Sequence, residues 1–115
     1  MKKINVLKEN RDFTRIIKKE QPFKYKGFMV YLEKKTNDYY KFGISVSKKL
    51  ANAVGRNKIK RQVREIISKN NYENNFNCII IIRRSYLEND FQKNLEDLNF
   101  IFNKLKIKKE QQNEK

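Results

Sequence analysis

The sequence predicts an α+β fold in one domain. Three stretches repeat apolar residues at helical spacing, and three others alternate or cluster them as strands do. Strand, helix and strand follow in succession over residues 42–82, a βαβ-like unit. The chain has 115 residues, enough for one core and no second domain.

Asn10 to Glu20 reads NRDFTRIIKKE. Phe13, Ile16 and Ile17 fall at i, i+3 and i+4, one apolar stripe on a helix. Asn10 suits the N-cap, Asp12 the electropositive first turn, and Lys18 and Lys19 the electronegative last turn. Pro22 ends the helix, because it lacks the amide hydrogen the ladder needs. Met1 to Glu9 is a basic leader ahead of it. Phe23 to Glu33, FKYKGFMVYLE, alternates and then condenses into an apolar run. That pattern predicts a strand with a bulge or bend at Gly27. Lys34 to Lys41 is a polar connection that turns at Asn37-Asp38. Phe42, Ile44 and Val46 alternate with Gly43, Ser45 and Ser47, a second strand with one apolar and one small polar face. These two strands are expected to pair as an antiparallel hairpin.

LANAVGRNKIKRQVREIISKN follows as a helix capped by Asn52. Ile59, Val63, Ile66 and Ile67 form its core-facing stripe. Gly55 weakens the first turn by about 1 kcal/mol relative to Ala, so something other than propensity must hold it. The Asn-rich stretch from Asn70 to Asn77 breaks the helix. Cys78 to Ile82, CIIII, is a short apolar run that predicts a strand buried on both faces. Phe91, Leu95, Leu98, Phe102 and Leu105 then define a closing amphipathic helix, capped by Asn89 or Ser85. The tail KKEQQNEK is expected to fray.

Lys and Arg number 28 against 13 Asp and Glu, a net charge of +15. Such a balance favours a polyanionic partner. The aromatic fraction of 12% is too high for a simple basic tail. No run of about 18 apolar residues is present to span a membrane. The charged start MKKINVLKENRDF is not a signal peptide. Cys78 is the only cysteine, which excludes an internal disulfide and a multi-thiolate zinc site. These features point to a cytoplasmic protein with no membrane and no obligate protein partner.

The chain contains no His, which excludes imidazole acid–base chemistry and His-dependent nucleophiles. Glu88-Asn89-Asp90 is the densest carboxylate group, and it reads as the start of a helix rather than a metal site. Nothing resembles the convergent carboxylates of a two-metal nuclease.

Arg56, Lys58, Lys60, Arg61 and Arg64 crowd the middle helix. At about 100° per residue, Asn57, Lys60, Arg61 and Arg64 share one face, away from the apolar stripe. Guanidinium forks and an amide at helical spacing suit phosphates. A merely solvated face would carry interspersed acids, and only Glu65 supplies one, so nucleic-acid contact is favoured, with DNA and RNA both open. Lys48 and Lys49, at the end of the second strand, either extend this patch or are ordinary strand-end lysines. Phe13, Phe28, Tyr31, Tyr39 and Tyr40 mingle with Lys24, Lys26, Lys34 and Lys41. Stacking beside cations is how single strands are held, although most of these rings suit the core. A ribosomal structural protein has the same size and charge. A DNA-binding regulator does too, but the strand-like segments around the basic helix leave no helix-turn-helix.

FGISVSKKLANAVGRNKIKRQVREI, Phe42 to Ile66, resembles the signature of the bacterial ribonuclease P protein subunit. In that family a strand ends in SVSKK, and NAV and an RNR-type motif run on into KR. The resemblance extends through LKENRDF, FMVYL, CIIII and the closing helix, covering residues 4 to 107. It implies the order αβββαβα and a mixed sheet packed by helices, with a left-handed βαβ crossover. From the residues alone a right-handed crossover is expected. It also implies one RNA-binding domain over residues 1–109 and a frayed polar tail over 110–115.

By the same resemblance the partners are ribonuclease P RNA, which is the catalyst, and precursor tRNA. Mg²⁺ acts through the RNA subunit and is not bound tightly by the protein, which supplies no catalytic residue. Arg56, Asn57, Lys58, Arg61 and Arg64 match the RNA-contacting motif, and Lys48 and Lys60 extend the patch. Phe13, Tyr31 and Lys49 match positions lining a cleft for the 5′ leader. Three residues depart from the pattern. Lys58 replaces an Arg and loses its bidentate fork, Ala51 replaces a Gly before the helix, and Ile17 replaces an aromatic on the first helix.

Overall fold

The computed structural model describes residues 5–7, 10–34 and 39–109. The turn expected at Asn37-Asp38 and the tail from 110 onward lie outside the described residues. So does most of the basic leader.

The elements are α1 (Asn10–Lys19), β1 (Phe23–Tyr25), β2 (Phe28–Lys34), β3 (Lys41–Ser45), α2 (Ala53–Ser68), β4 (Phe76–Ile82) and α3 (Phe91–Leu105). A single 3-10 turn, Arg84–Glu88, joins β4 to α3. The order is αβββαβα, and the sheet runs β1-β2-β4-β3. β1 and β2 pair antiparallel, as do β2 and β4. β3 and β4 pair parallel, with α2 crossing between them.

The expected hairpin between Phe23–Glu33 and the Phe42 strand does not form. The first of these segments is itself a hairpin, β1 turning into β2 through Lys26 and Gly27, with Lys26 at φ 54°. β4 then enters between β2 and β3. Its residues Phe76, Asn77, Cys78, Ile79 and Ile80 are all buried, so β4 needs a strand on both sides and helices on both faces. It starts two residues earlier than the CIIII run, just after Asn75, whose φ of 76° ends the Asn-rich loop.

Gly27 is a turn residue rather than a bulge, and its φ is not in the left-handed region. It is glycine because a Cβ there would lie 2.8 Å from the backbone N and Cα of Tyr86. The Arg83 amide donates to the Gly27 carbonyl at 2.8 Å, so the 3-10 turn is locked onto the hairpin.

The sheet has two unlike faces. Phe28, Val30, Phe42, Cys78, Ile80 and Ile82 point to the side covered by α2 and α3, where they meet Val63, Ile66, Leu98, Ile101 and Phe102. Tyr40, Phe42, Tyr72, Phe76 and Phe102 form an aromatic cluster at one end, with centroids 5.0–6.4 Å apart where pairs meet. Cys78 is wholly buried among these groups, and burial pushes its thiol pKa far up. Among the described residues the other face is covered by α1 and the segment before it. There Leu7, Ile16, Tyr31 and Ile79 are buried, with Phe13, Met29 and Ile81 at the margin. Only Ile16 of the α1 stripe is fully inside, and Ile17 is 37% exposed.

The N-caps of α2 and α3 are side-chain caps. Asn52 accepts from the Gly55 amide at 2.9 Å. A Cβ on Gly55 would come 2.9 Å from the Ala51 methyl, so a glycine here lets the preceding turn pack closely on the first turn of α2. α3 is capped by Asp90, which accepts from the Lys93 amide at 2.9 Å, and not by Asn89 or Ser85. The Glu88-Asn89-Asp90 group is therefore a helix start, as its charge suggested. Lys108 and Lys109 do not fray. Lys108 bridges Tyr72, and the Lys109 amide donates to the Asn71 carbonyl at 2.9 Å.

Candidate nucleic-acid interface

α2 buries Ile59, Val63, Ile66 and Ile67 and turns its opposite side to solvent. Asn57, Lys58, Arg61 and Arg64 are exposed there, with Arg56 and Lys60 half-buried on the flank. Lys48 and Lys49 are exposed in the turn after β3, where the Lys49 amide donates to Ser47 Oγ at 3.1 Å. Arg56 has a structural bond as well, Nη1 to the Ala51 carbonyl at 3.0 Å, which ties this turn to the first turn of α2.

None of these seven cations forms an ion pair among the described residues. Arg15 and Lys19 on α1 behave differently. Both donate to the Glu33 carboxylate, Lys19 at 3.0 Å, and Asn77 Nδ2 donates to its other oxygen at 2.9 Å. Burial of Glu33 opposes its charge. The hydrogen bonds from Asn77, Arg15 and Lys19 and the Arg15 charge outweigh it and hold the carboxyl at about 2. Sequence reading missed this latch. Its signal was a lone acid ending an apolar strand, opposite two cations spaced i and i+4.

A cleft of about 440 Å³ opens beside the basic face, at the free edge of β3. Leu7, Asn10, Phe13 and Thr14 form one wall, Ile44, Ser45 and Val46 the floor, and Lys60 the other wall. The edge is partly closed at Phe42, whose carbonyl accepts from the Leu7 amide at 2.8 Å. In a strand, alternate residues turn their backbone groups to the same side. The Ile44 amide and carbonyl therefore face outward like those of Phe42, and no described segment covers them. Phe13 lies across Gly43, where a Cβ would come 2.5 Å from the ring Cζ. The small polar face of β3 exists to admit this ring.

Of the residues assigned to a cleft, the structure brings Phe13 to this one and adds Lys60 from the basic group. Tyr31 lies beneath α1 and is 7% exposed. Its strand is separated from β3 by β4, a distance of roughly 10 Å. Lys49 is in the exposed turn beyond the cleft floor. The α2 residues fall together on one surface as their spacing required.

Comparison with known proteins gives one result throughout. The family model described as Ribonuclease P matches residues 1–106. The ribonuclease P protein component of Mesoplasma florum is 40% identical over 102 residues, covering 86% of this chain and 93% of that one. That of Bacillus pumilus is 34% identical over 114 residues, covering 96% of each. Among solved structures, the RNase P protein of Staphylococcus aureus superimposes with a TM-score of 0.81 at 35% identity, covering 90% of this chain and 96% of that one. The RNase P protein of Thermotoga maritima gives 0.74 at 33%, covering 83% and 92%.

Proposed function

The chain belongs to the ribonuclease P protein family, and from that premise we propose how its surfaces divide the work of tRNA 5′-end maturation. It is the protein component of ribonuclease P, and it associates with the ribonuclease P RNA and precursor tRNA. The exposed face of α2 is the dock for the RNA subunit. Arg61, Arg64 and Asn57 meet phosphates at helical spacing, with Arg56, Lys58 and the turn lysines Lys48 and Lys49 around them. The cleft at the β3 edge takes the single-stranded 5′ leader. Phe13 offers a ring for a base to stack on, and Lys60 offers a cation for the adjoining phosphate.

The observation that carries this reading is the juxtaposition at Lys60, which lines the cleft and also belongs to the unpaired basic face. One bound RNA surface thus runs directly into a slot for a single strand. The RNA subunit performs the cleavage, and the protein neutralises charge and holds substrate. Mg²⁺ enters with the RNA. Among the described residues no three of His, Cys, Asp or Glu lie together. We place the complex in the cytoplasm. As a separate matter, no described helix is long and apolar enough to cross a membrane.

The test is charge reversal. Arg61→Glu with Arg64→Glu should weaken binding to the RNA subunit far more than the same double change at Lys108 and Lys109. It should also reduce the slope of log K against log salt by roughly 0.7–0.9 for each phosphate the protein no longer neutralises. Equal effects at both pairs would mean that only bulk charge matters and that α2 is not the dock.

A further inference from the structure

The opposite edge of the sheet carries an aromatic group that neither surface above uses. Tyr25 on β1 stacks against Phe100 on α3, with centroids 4.4 Å apart and planes 29° apart. Each ring is also capped by a cation. Lys26 Nζ lies over Tyr25 at 5.6 Å from its centroid, and Lys104 Nζ over Phe100 at 5.5 Å. Phe100 is 39% exposed, on the side of α3 opposite Phe91, which is half-buried against the core. Among the described residues β1 pairs only with β2, which leaves its outer edge open, and Lys24 at its centre is exposed. The nearest acids offset part of this charge. Asp97 is buried and paired with Lys93 at 3.2 Å, whereas Glu96 is exposed, accepts only from the neutral Gln92 and keeps its negative charge.

We infer that this patch is a second single-stranded RNA contact, on the far side of the sheet from the leader cleft. One cation–π pair is ordinary for a chain of this length, but two on one stacked pair, a half-buried Tyr25 and an exposed Phe100, are not. A protein whose partners are RNA has no packing need for a solvent-facing ring with a lysine held over it. The lysines serve as displaceable covers. An incoming base takes the place of Lys104 over Phe100, and the freed ammonium moves to the phosphate beside it. Stacking and charge neutralisation then act on the same nucleotide, without base-specific hydrogen bonds.

The experiment uses the full chain and two probes, an oligoadenylate tetramer and a tetramer with the same phosphates but no bases. Their affinity ratio reports stacking alone. Phe100→Leu keeps apolar volume and loses the π face, and the exposure of Phe100 makes the variant one that folds, which circular dichroism confirms. It should lower the ratio at least about fivefold, the low end for a base on a ring. Phe100→Tyr should restore it. The measurement is made in the wild-type chain and again with Phe13→Leu, so that failure of the leader-cleft reading shows up separately, as a Phe13 change without effect. A ratio that Phe100→Leu leaves at its starting value in both backgrounds overturns the second site. An equal loss for both tetramers overturns it too, because that would be charge or folding and not stacking.

Discussion

Gly43→Ala is the substitution that most directly probes how α1 sets the cleft. The added Cβ would lie 2.5 Å from Phe13 Cζ and 2.9 Å from Cε1. To reach the 3.4 Å of ordinary contact, the ring tip must retreat by about 0.9 Å. Phe13 is half-buried at the margin of the α1 face, so its ring can swing outward without moving the helix. The stability cost therefore belongs at the low end of overpacking, about 1 kcal/mol, or a Tm lower by roughly 4–8 °C. On the proposed function the functional cost is larger in proportion, because the displaced ring is the one proposed to stack on the leader. If it no longer meets a leader base, precursor tRNA should lose about 1–3 kcal/mol of affinity, and mature tRNA nothing. The assay is equilibrium binding of both tRNA forms to the complex assembled with the RNA subunit. A thermal melt of each variant accompanies it. A double-mutant cycle closes the argument. In a Phe13→Ala background the methyl group meets no ring, so Gly43→Ala should cost almost nothing further in Tm or in leader discrimination. If Gly43→Ala is as damaging without the ring as with it, the ring does not lie over this glycine and the cleft geometry is wrong.

Two further outcomes follow from the same packing. Gly27→Ala drives a methyl into the backbone of Tyr86, which cannot swing away as a side-chain tip can. It should cost about 2–3 kcal/mol, a Tm loss on the order of 10 °C, with affinity for the RNA subunit preserved below the transition; a Tm within about 2 °C of wild type would contradict the close approach. Glu33 gives a pH signature. Its folded pKa of about 2 lies below its ordinary value of 4.5, so its contribution is fully present above 4.5 and is lost as pH falls toward 2. That contribution is at most about 3 kcal/mol, and it is reduced because Arg15 and Lys19 are half-exposed. Denaturant melts should show Glu33→Gln less stable than wild type at pH 7, with the two converging as pH drops through this window. A constant gap would show that the carboxylate charge contributes nothing.

The sequence made the helices legible and the sheet order only partly so. Helical periodicity needs just one element at a time, so the buried faces of α2 and α3 were readable from Ile59, Val63, Leu98 and Phe102 alone. The unbroken apolar run at Cys78 marked the central strand. Which strands flank it depends on pairings between residues more than 30 apart in the chain, such as Phe42 with Cys78 and Leu32 with Cys78, and local pattern carries no record of those. The basic face was legible for the same reason as the helix that bears it. The cleft was not, because its walls come from α1, β3 and α2 together. Tyr31 illustrates the difference. Its aromatic character fitted a stacking role, but its strand is two places from the open edge, and α1 covers it. Lys60, classed by charge with the helix face, is the residue that joins both surfaces.

Reconstitution at low Mg²⁺ addresses the central claim, that this chain serves an RNA catalyst and is not itself the nuclease. Precursor tRNA is incubated with the protein alone, with a bacterial ribonuclease P RNA alone, and with both, and the 5′ end of the product is mapped. The account predicts cleavage at the mature 5′ end only when both are present, at Mg²⁺ concentrations where the RNA alone is inactive. Cleavage at that position by RNA-free protein, or a protein that leaves the Mg²⁺ requirement unchanged, would contradict it.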